Sequence, residues 1–90
     1  MTGNDAWLAP LRARFLARLG EELAAFRAAG EGGETDAIID RAHKLAGLAG
    51  TLGWPDVGEA ALHLEERARS GAGYAPELAA LIAAIEHARA

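Results

Sequence analysis

Residues Glu34–Pro55 read ETDAIIDRAHKLAGLAGTLGWP, and the pattern in this stretch decides the architecture. Ile38, Leu45, Ala49 and Leu52 recur at spacings of three, four and seven, which puts them on one side of a helix running from about Glu34 to Leu52. Gly53-Trp54-Pro55 then forces a turn, because proline has no amide with which to continue the helical ladder.

The same punctuation divides the chain on either side. Upstream, Leu8, Leu11, Phe15, Leu19, Leu23 and Phe26 form a single apolar stripe. They predict a helix from roughly Asn4 or Pro10 to Ala29, with Asn4 as the cap of a short extra N-terminal turn and Pro10 as a first-turn residue or a kink. Gly30-Glu31-Gly32-Gly33 ends it. Downstream, Val57, Ala60, Ala61, Leu64 and Ala68 mark a third helix from Pro55 to Ser70, closed by Ser70-Gly71-Ala72-Gly73 with glycine available for a left-handed cap. Leu78, Leu81, Ile82 and Ile85 mark a fourth, from Ala75 or Pro76 to about Arg89. Connections this short favour antiparallel neighbours, so the expected fold is all-α: an up-down antiparallel four-helix bundle forming one domain over residues 1–90.

Composition agrees. Alanine supplies 23 of the 90 residues and leucine 12, whereas Val, Ile and Thr together give eight, too few to build strands. The alanines let helices approach closely, and Trp7, Phe15, Phe26 and Trp54 are expected to carry much of the buried area. There is no cysteine, which excludes disulfides, thiol catalysis and thiolate zinc sites. A net charge of −4 argues against phosphate-backbone neutralisation and hence against a nucleic-acid partner. No apolar run is long enough for a bilayer span and no basic-then-apolar opening is seen, so a cytoplasmic protein without membrane association is expected.

His43 stands out once the second helix is placed on a wheel. The apolar residues Leu45, Ile38, Leu52, Leu48 and Ala49 fall about 140–240° from it, and the arc within about 60° holds Asp36, Ile39, Asp40, Ala46, Gly47 and Gly50. His43 is therefore expected to face solvent at mid-helix. Two glycines inside a helix cost about 2 kcal/mol relative to alanine. Either something approaches the backbone beside His43, or the helix ends near Gly50 and glycine caps it. A solvated imidazole is largely neutral and nucleophilic near neutral pH, fit to accept a phosphoryl group from an acyl phosphate. No phosphate-cradling loop and no magnesium-spaced carboxylates accompany it, so a metal and any electrostatic assistance have to come from a partner.

The stretch Arg41-Ala42-His43-Lys44-Leu45-Ala46-Gly47-Leu48-Ala49-Gly50-Thr51-Leu52-Gly53, followed by Ala60 and Leu64-Glu65, resembles the histidine phosphotransfer (HPt) domain family. His43, Leu45, Gly47, Leu52-Gly53 and Leu64-Glu65 match that family's motif, and the number and lengths of the helices agree over the whole chain. The resemblance implies a phosphorelay carrier without catalysis of its own, and neither an enzyme nor a cofactor-binding protein. It would take a phosphoryl group on His43 from a receiver aspartate and pass it to another, with receiver domains or a hybrid histidine kinase as partners and Mg²⁺ supplied by the receiver. One position departs: the lysine usual three residues after the histidine is Ala46, while Lys44 follows the histidine directly. Lys44 is expected to supply the missing charge, and Gly47 to leave room beside the imidazole. Ile39, Ala46 and Gly50 are expected docking contacts, with a further contribution from Trp7 to Leu11.

His63 and His87 read as ordinary surface residues, the latter favourable at a helix C-terminus. Neither has an i, i+4 partner for a metal, and Glu65 reads as structural. Two other functions compete. One is a phosphate-independent module that binds a receiver or kinase. The other is a kinase dimerisation fragment, which needs an obligatory dimer and usually an acidic residue where Lys44 stands. A monomer is the expectation.

Overall fold

A computed structural model describes residues 3–90, with side chains from Ala6 onward. Four helices follow one another as α1 (Gly3–Glu31), α2 (Thr35–Leu52), α3 (Pro55–Arg69) and α4 (Ala75–Arg89). Each packs on its neighbours in chain order, α4 returns to α1, and among the described residues no diagonal pair touches. Around one core lie Leu19 and Phe26 of α1, Ile38, Ala42, Leu45 and Ala49 of α2, Val57, Ala61 and Leu64 of α3, and Leu81 and Ile85 of α4. This is the four-helix bundle expected. No helix among the described residues is long and apolar enough to cross a membrane.

The boundaries follow local chemistry. Gly53 stops α2 in the left-handed conformation at φ 98°, where a β-carbon would be strained. The Trp54 amide then returns to the Ala49 carbonyl at 2.8 Å. Pro55 and Pro76 open α3 and α4 within their first turns, where the missing amide has no partner to lose. Gly50 is interior to α2, so it does not cap the helix.

Three expectations are corrected. First, α1 is one continuous helix from Gly3 with Pro10 inside it, so the stretch expected as a separate leading turn belongs to the same helix; the side chain of Asn4 lies outside the described residues. Its 29 residues span about 43 Å, matching the 44 Å long dimension of the molecule. The N-terminal turns of α1 therefore reach beyond the shorter helices. Second, Trp7 lies on that overhang and is 63% exposed, with Leu11 also on the surface, so the stripe continues past the reach of the other described helices. Phe15 and Phe26 are buried. Trp54 is half-buried, its ring centroid 5.3 Å from that of Phe15 and 5.1 Å from the Arg12 guanidinium. Third, Leu48 is 41% exposed while Ala42 is fully buried. The buried arc of α2 is thus turned about 30° toward α3.

The rotation has a cause in the α2–α3 seam, the most intimate contact in the bundle. Gly58 is buried in it. A β-carbon there would lie 3.2 Å from the Gly50 amide nitrogen and 3.4 Å from the Ala46 carbonyl oxygen. Glycine on α3 and small residues on α2 let the two backbones meet.

Candidate functional site

His43 stands midway along α2 with its side chain 67% exposed. It is not loose. Nδ1 lies 3.0 Å from Oε2 of Glu65, one turn from the C-terminal end of α3. Glu65 is the one buried charged residue among those described, at 7% exposure. The same oxygen receives Nε of Arg69 at 2.9 Å and the terminal Nη2 at 2.9 Å. Residues 65 and 69 are one helical turn apart, so the arginine fork closes back over the carboxylate.

This arrangement fixes protonation states. Burial pushes the Glu65 carboxyl up, but the hydrogen bonds from Arg69 and His43, aided by the charges of both, outweigh it and hold the pKa below its ordinary value. An ionised carboxylate only accepts hydrogen bonds. The proton of a neutral His43 therefore sits on Nδ1, and its lone pair on Nε2, the ring nitrogen not engaged by Glu65.

Around the imidazole the surface is small and partly apolar: Ala46, Gly47 and Leu62 line the same shallow recess as His43, Glu65 and Arg69. A β-carbon at Gly47 or Gly50 would meet nothing within 4 Å, so both glycines leave open space on the histidine's side of the helix. Within the described residues nothing approaches Gly47 or Gly50 closely enough to exclude a β-carbon; the glycine that a close backbone contact requires is Gly58. Ile39 is half-buried one turn before His43.

Lys44 points elsewhere. Its Nζ lies 3.0 Å from Oδ2 of Asp40, and it borders a groove against α1 together with Arg18, Glu22 and Arg41. The cation on the histidine's own side is Arg69. Sequence reasoning missed both Glu65 as a histidine partner and Arg69 altogether. The one available signal was Leu64-Glu65, and it carried no information about which way the carboxylate turns.

The other histidines stay apart from this cluster. His63 is exposed in a groove between α3 and α4 beside Asp56, Glu59 and Glu77, and His87 occupies the last turn of α4. Among the described residues no group of three or more His, Asp or Glu side chains gathers as a metal site.

Comparison with known proteins bears on this arrangement. A family model described as the Hpt domain matches residues 10–90, which includes α2, α3, α4, all of α1 after its first seven residues and the whole cluster around His43. No curated protein and no solved structure matches the chain.

Proposed function

The chain belongs to the Hpt domain family, a family of phosphotransfer modules of phosphorelays, and on that premise we propose that His43 is its phosphoryl acceptor and that the group is carried on Nε2. The contact between His43 Nδ1 and Glu65 Oε2 at 3.0 Å carries this reading. It orients the ring, leaves Nε2 nucleophilic and supplies a negative charge where the reaction needs one.

The step balances without any group from this chain leaving. The Nε2 lone pair attacks phosphorus of an aspartyl phosphate on a receiver domain, the N–P bond forms, and the P–O bond to the carboxylate breaks. The aspartate departs with the electron pair. The ring keeps its Nδ1 proton and becomes cationic. Glu65 faces that developing charge from an already ordered position, held by Arg69, so little reorganisation accompanies transfer. The reverse step restores the neutral ring. The receiver supplies Mg²⁺ and the surroundings of the leaving carboxylate.

Gly47 leaves the space a phosphoryl group and a receiver's acidic pocket require, and Ile39, Ala46 and Gly50 border it as docking contacts. Two cations serve the phosphate. Arg69 is the nearer. Lys44 is tied to Asp40 by an exposed ion pair; such pairs are worth less than about 1 kcal/mol, so the lysine is free to swing toward a dianion.

Mixing the protein with a phosphorylated receiver tests the reading. The wild type is expected to gain an acid-labile, base-stable label that His43→Gln lacks. Equal labelling of the two would place the phosphoryl group on another residue, and no label on either while the receiver still binds would leave a phosphate-independent docking module; both outcomes remove the acceptor role from His43. Closure of a core by four helices of one chain favours a monomeric carrier over a kinase dimerisation fragment, and solution mass decides between them.

A further inference from the structure

The Glu65 carboxylate serves three donors with one oxygen. Nδ1 of His43 meets Oε2 at 3.0 Å, and Nε and Nη2 of Arg69 meet the same Oε2 at 2.9 Å each. A guanidinium carries five N–H donors in one plane, one on Nε and two on each terminal nitrogen. Glu65 takes one from Nε and one from Nη2. The remaining donors, on Nη1 and the other side of Nη2, have no protein partner among the described residues. Because the fork is flat, they point away from the carboxylate. The Arg69 side chain is 57% exposed, and it borders the same recess as His43, Ala46 and Gly47. Glu66, the other carboxylate of that recess, makes no ion pair with it.

Resting on the assignment of His43 as the acceptor, we propose that Arg69 works along two edges at once. The inner edge is a positioning device: it holds Glu65 ionised and in place, and through Glu65 it keeps the His43 proton on Nδ1. The outer edge binds oxygens of the phosphoryl group carried on Nε2. One guanidinium thereby ties the tautomer of the ring to the charge that the ring is to carry.

The division follows from where the two anions lie. Glu65 is buried on α3 and needs a cation before and after transfer. Phosphorylation adds a second anion without removing the first. A planar fork meets both from opposite sides, whereas a lysine ammonium is a single point of charge. Neither neighbouring cation shares the inner task. Nζ of Lys44 is held by Asp40 in a groove that contains neither His43 nor Glu65. Arg67 gives its Nε to the Gly73 carbonyl at 3.2 Å and does not border the recess.

Arg69→Lys and Arg69→Ala separate the edges. A lysine still reaches Glu65 one turn back, and its ammonium stays there, because a buried carboxylate attracts it more strongly than a solvated phosphoryl group does. Nitrogen NMR of the His43 ring is expected to show the neutral form protonated on Nδ1 in wild type and Arg69→Lys, and a mixture of Nδ1 and Nε2 protonation in Arg69→Ala. In protein labelled from a phosphorylated receiver, phosphorus NMR titration reads the outer edge. The phosphoryl group should lose its last proton about half a pH unit or more higher in both variants than in wild type. A helical packing role alone would move neither signal. An Arg69→Ala ring still protonated solely on Nδ1 overturns the inner edge. A phosphorus titration unmoved in Arg69→Lys overturns the outer edge while leaving His43 as the acceptor. A wild type that takes no label removes the acceptor and the outer edge together, and the nitrogen spectra still decide the inner one.

Discussion

The two faces of α2 are built on opposite principles. Toward α3 it presents Ala42, Ala46 and Gly50, and the helices close until a β-carbon added at Gly58 would lie 3.2 Å from the Gly50 amide nitrogen. Toward α1 it presents Leu48 and Leu52 against Trp7, Leu11 and Phe15, and the larger side chains hold open a groove. The tight seam orders an ion-paired network next to an exposed histidine. The loose one exposes apolar surface that no other described residue covers. Small residues therefore mark the place where position is controlled, and large ones the place where apolar surface stays open. An alanine-rich composition alone does not reveal this division.

Substitutions separate the two faces by size of effect. Gly58→Val places a branched side chain against the α2 backbone, which has no rotamer with which to retreat, so a loss of about 2–4 kcal/mol in chemical denaturation is expected. A loss below about 0.5 kcal/mol would mean the seam is no tighter than the groove. Glu65→Ala removes the group that orients His43 and faces the cationic ring. Phosphoryl transfer from a receiver, followed by rapid quench, is expected to slow by about ten- to a hundredfold, as when other orienting partners of a functional histidine are lost.

Glu65 also ties the seam to pH. Its folded pKa lies below the ordinary carboxylate value, so its contribution to stability is complete above the unfolded pKa of about 4.3. That contribution is lost as pH falls through the lower folded value. Acid titrations of wild type and Glu65→Gln are expected to diverge above about pH 4 and converge below it; parallel curves would show that the network carries no linked proton. Gly47→Ala and Gly50→Ala, facing open space, should each stabilise the fold by up to about 1 kcal/mol while impeding a receiver. The smallest change belongs to the groove: Leu48→Ser is expected to cost no more than about 1 kcal/mol, because Leu48 is 41% exposed and has only part of its side chain to uncover. A larger loss would make Leu48 a core residue.

The fold was legible because its signals are local. Gly53, Gly71, Pro55 and Pro76 stop and start helices through their own backbone chemistry, and the apolar stripe of each helix names the inward face. The stripe of α1 was legible too, but a stripe cannot say how much of itself is covered. Trp7 and Leu11 obey the same periodicity as Phe15 and Leu19 and differ only in lying past the reach of the shorter helices. Leu48 was misplaced by a rotation of the core arc that depends on how near α3 lies. The site divides in the same way. His43 and Gly47 share one helix and could be placed on a wheel. Glu65 and Arg69 reach the histidine from α3, and their contact depends on an inter-helix register that no single-helix periodicity contains. The choice of Nε2 over Nδ1 rests wholly on that contact.

Only two residues, Gly53 and Trp54, join α2 to α3, and the residues that couple across the seam, His43 and Glu65, are 22 apart in the chain. Loop-closure entropy is lowest for contacts this local. In time, then, the His43–Glu65 cluster is expected to belong to the first hairpin formed, with α1 and α4 closing over it afterward. During unfolding, amide protons in α2 and α3 should outlast those of α1, so that a chain opening at its long overhanging helix still keeps the imidazole and its carboxylate together.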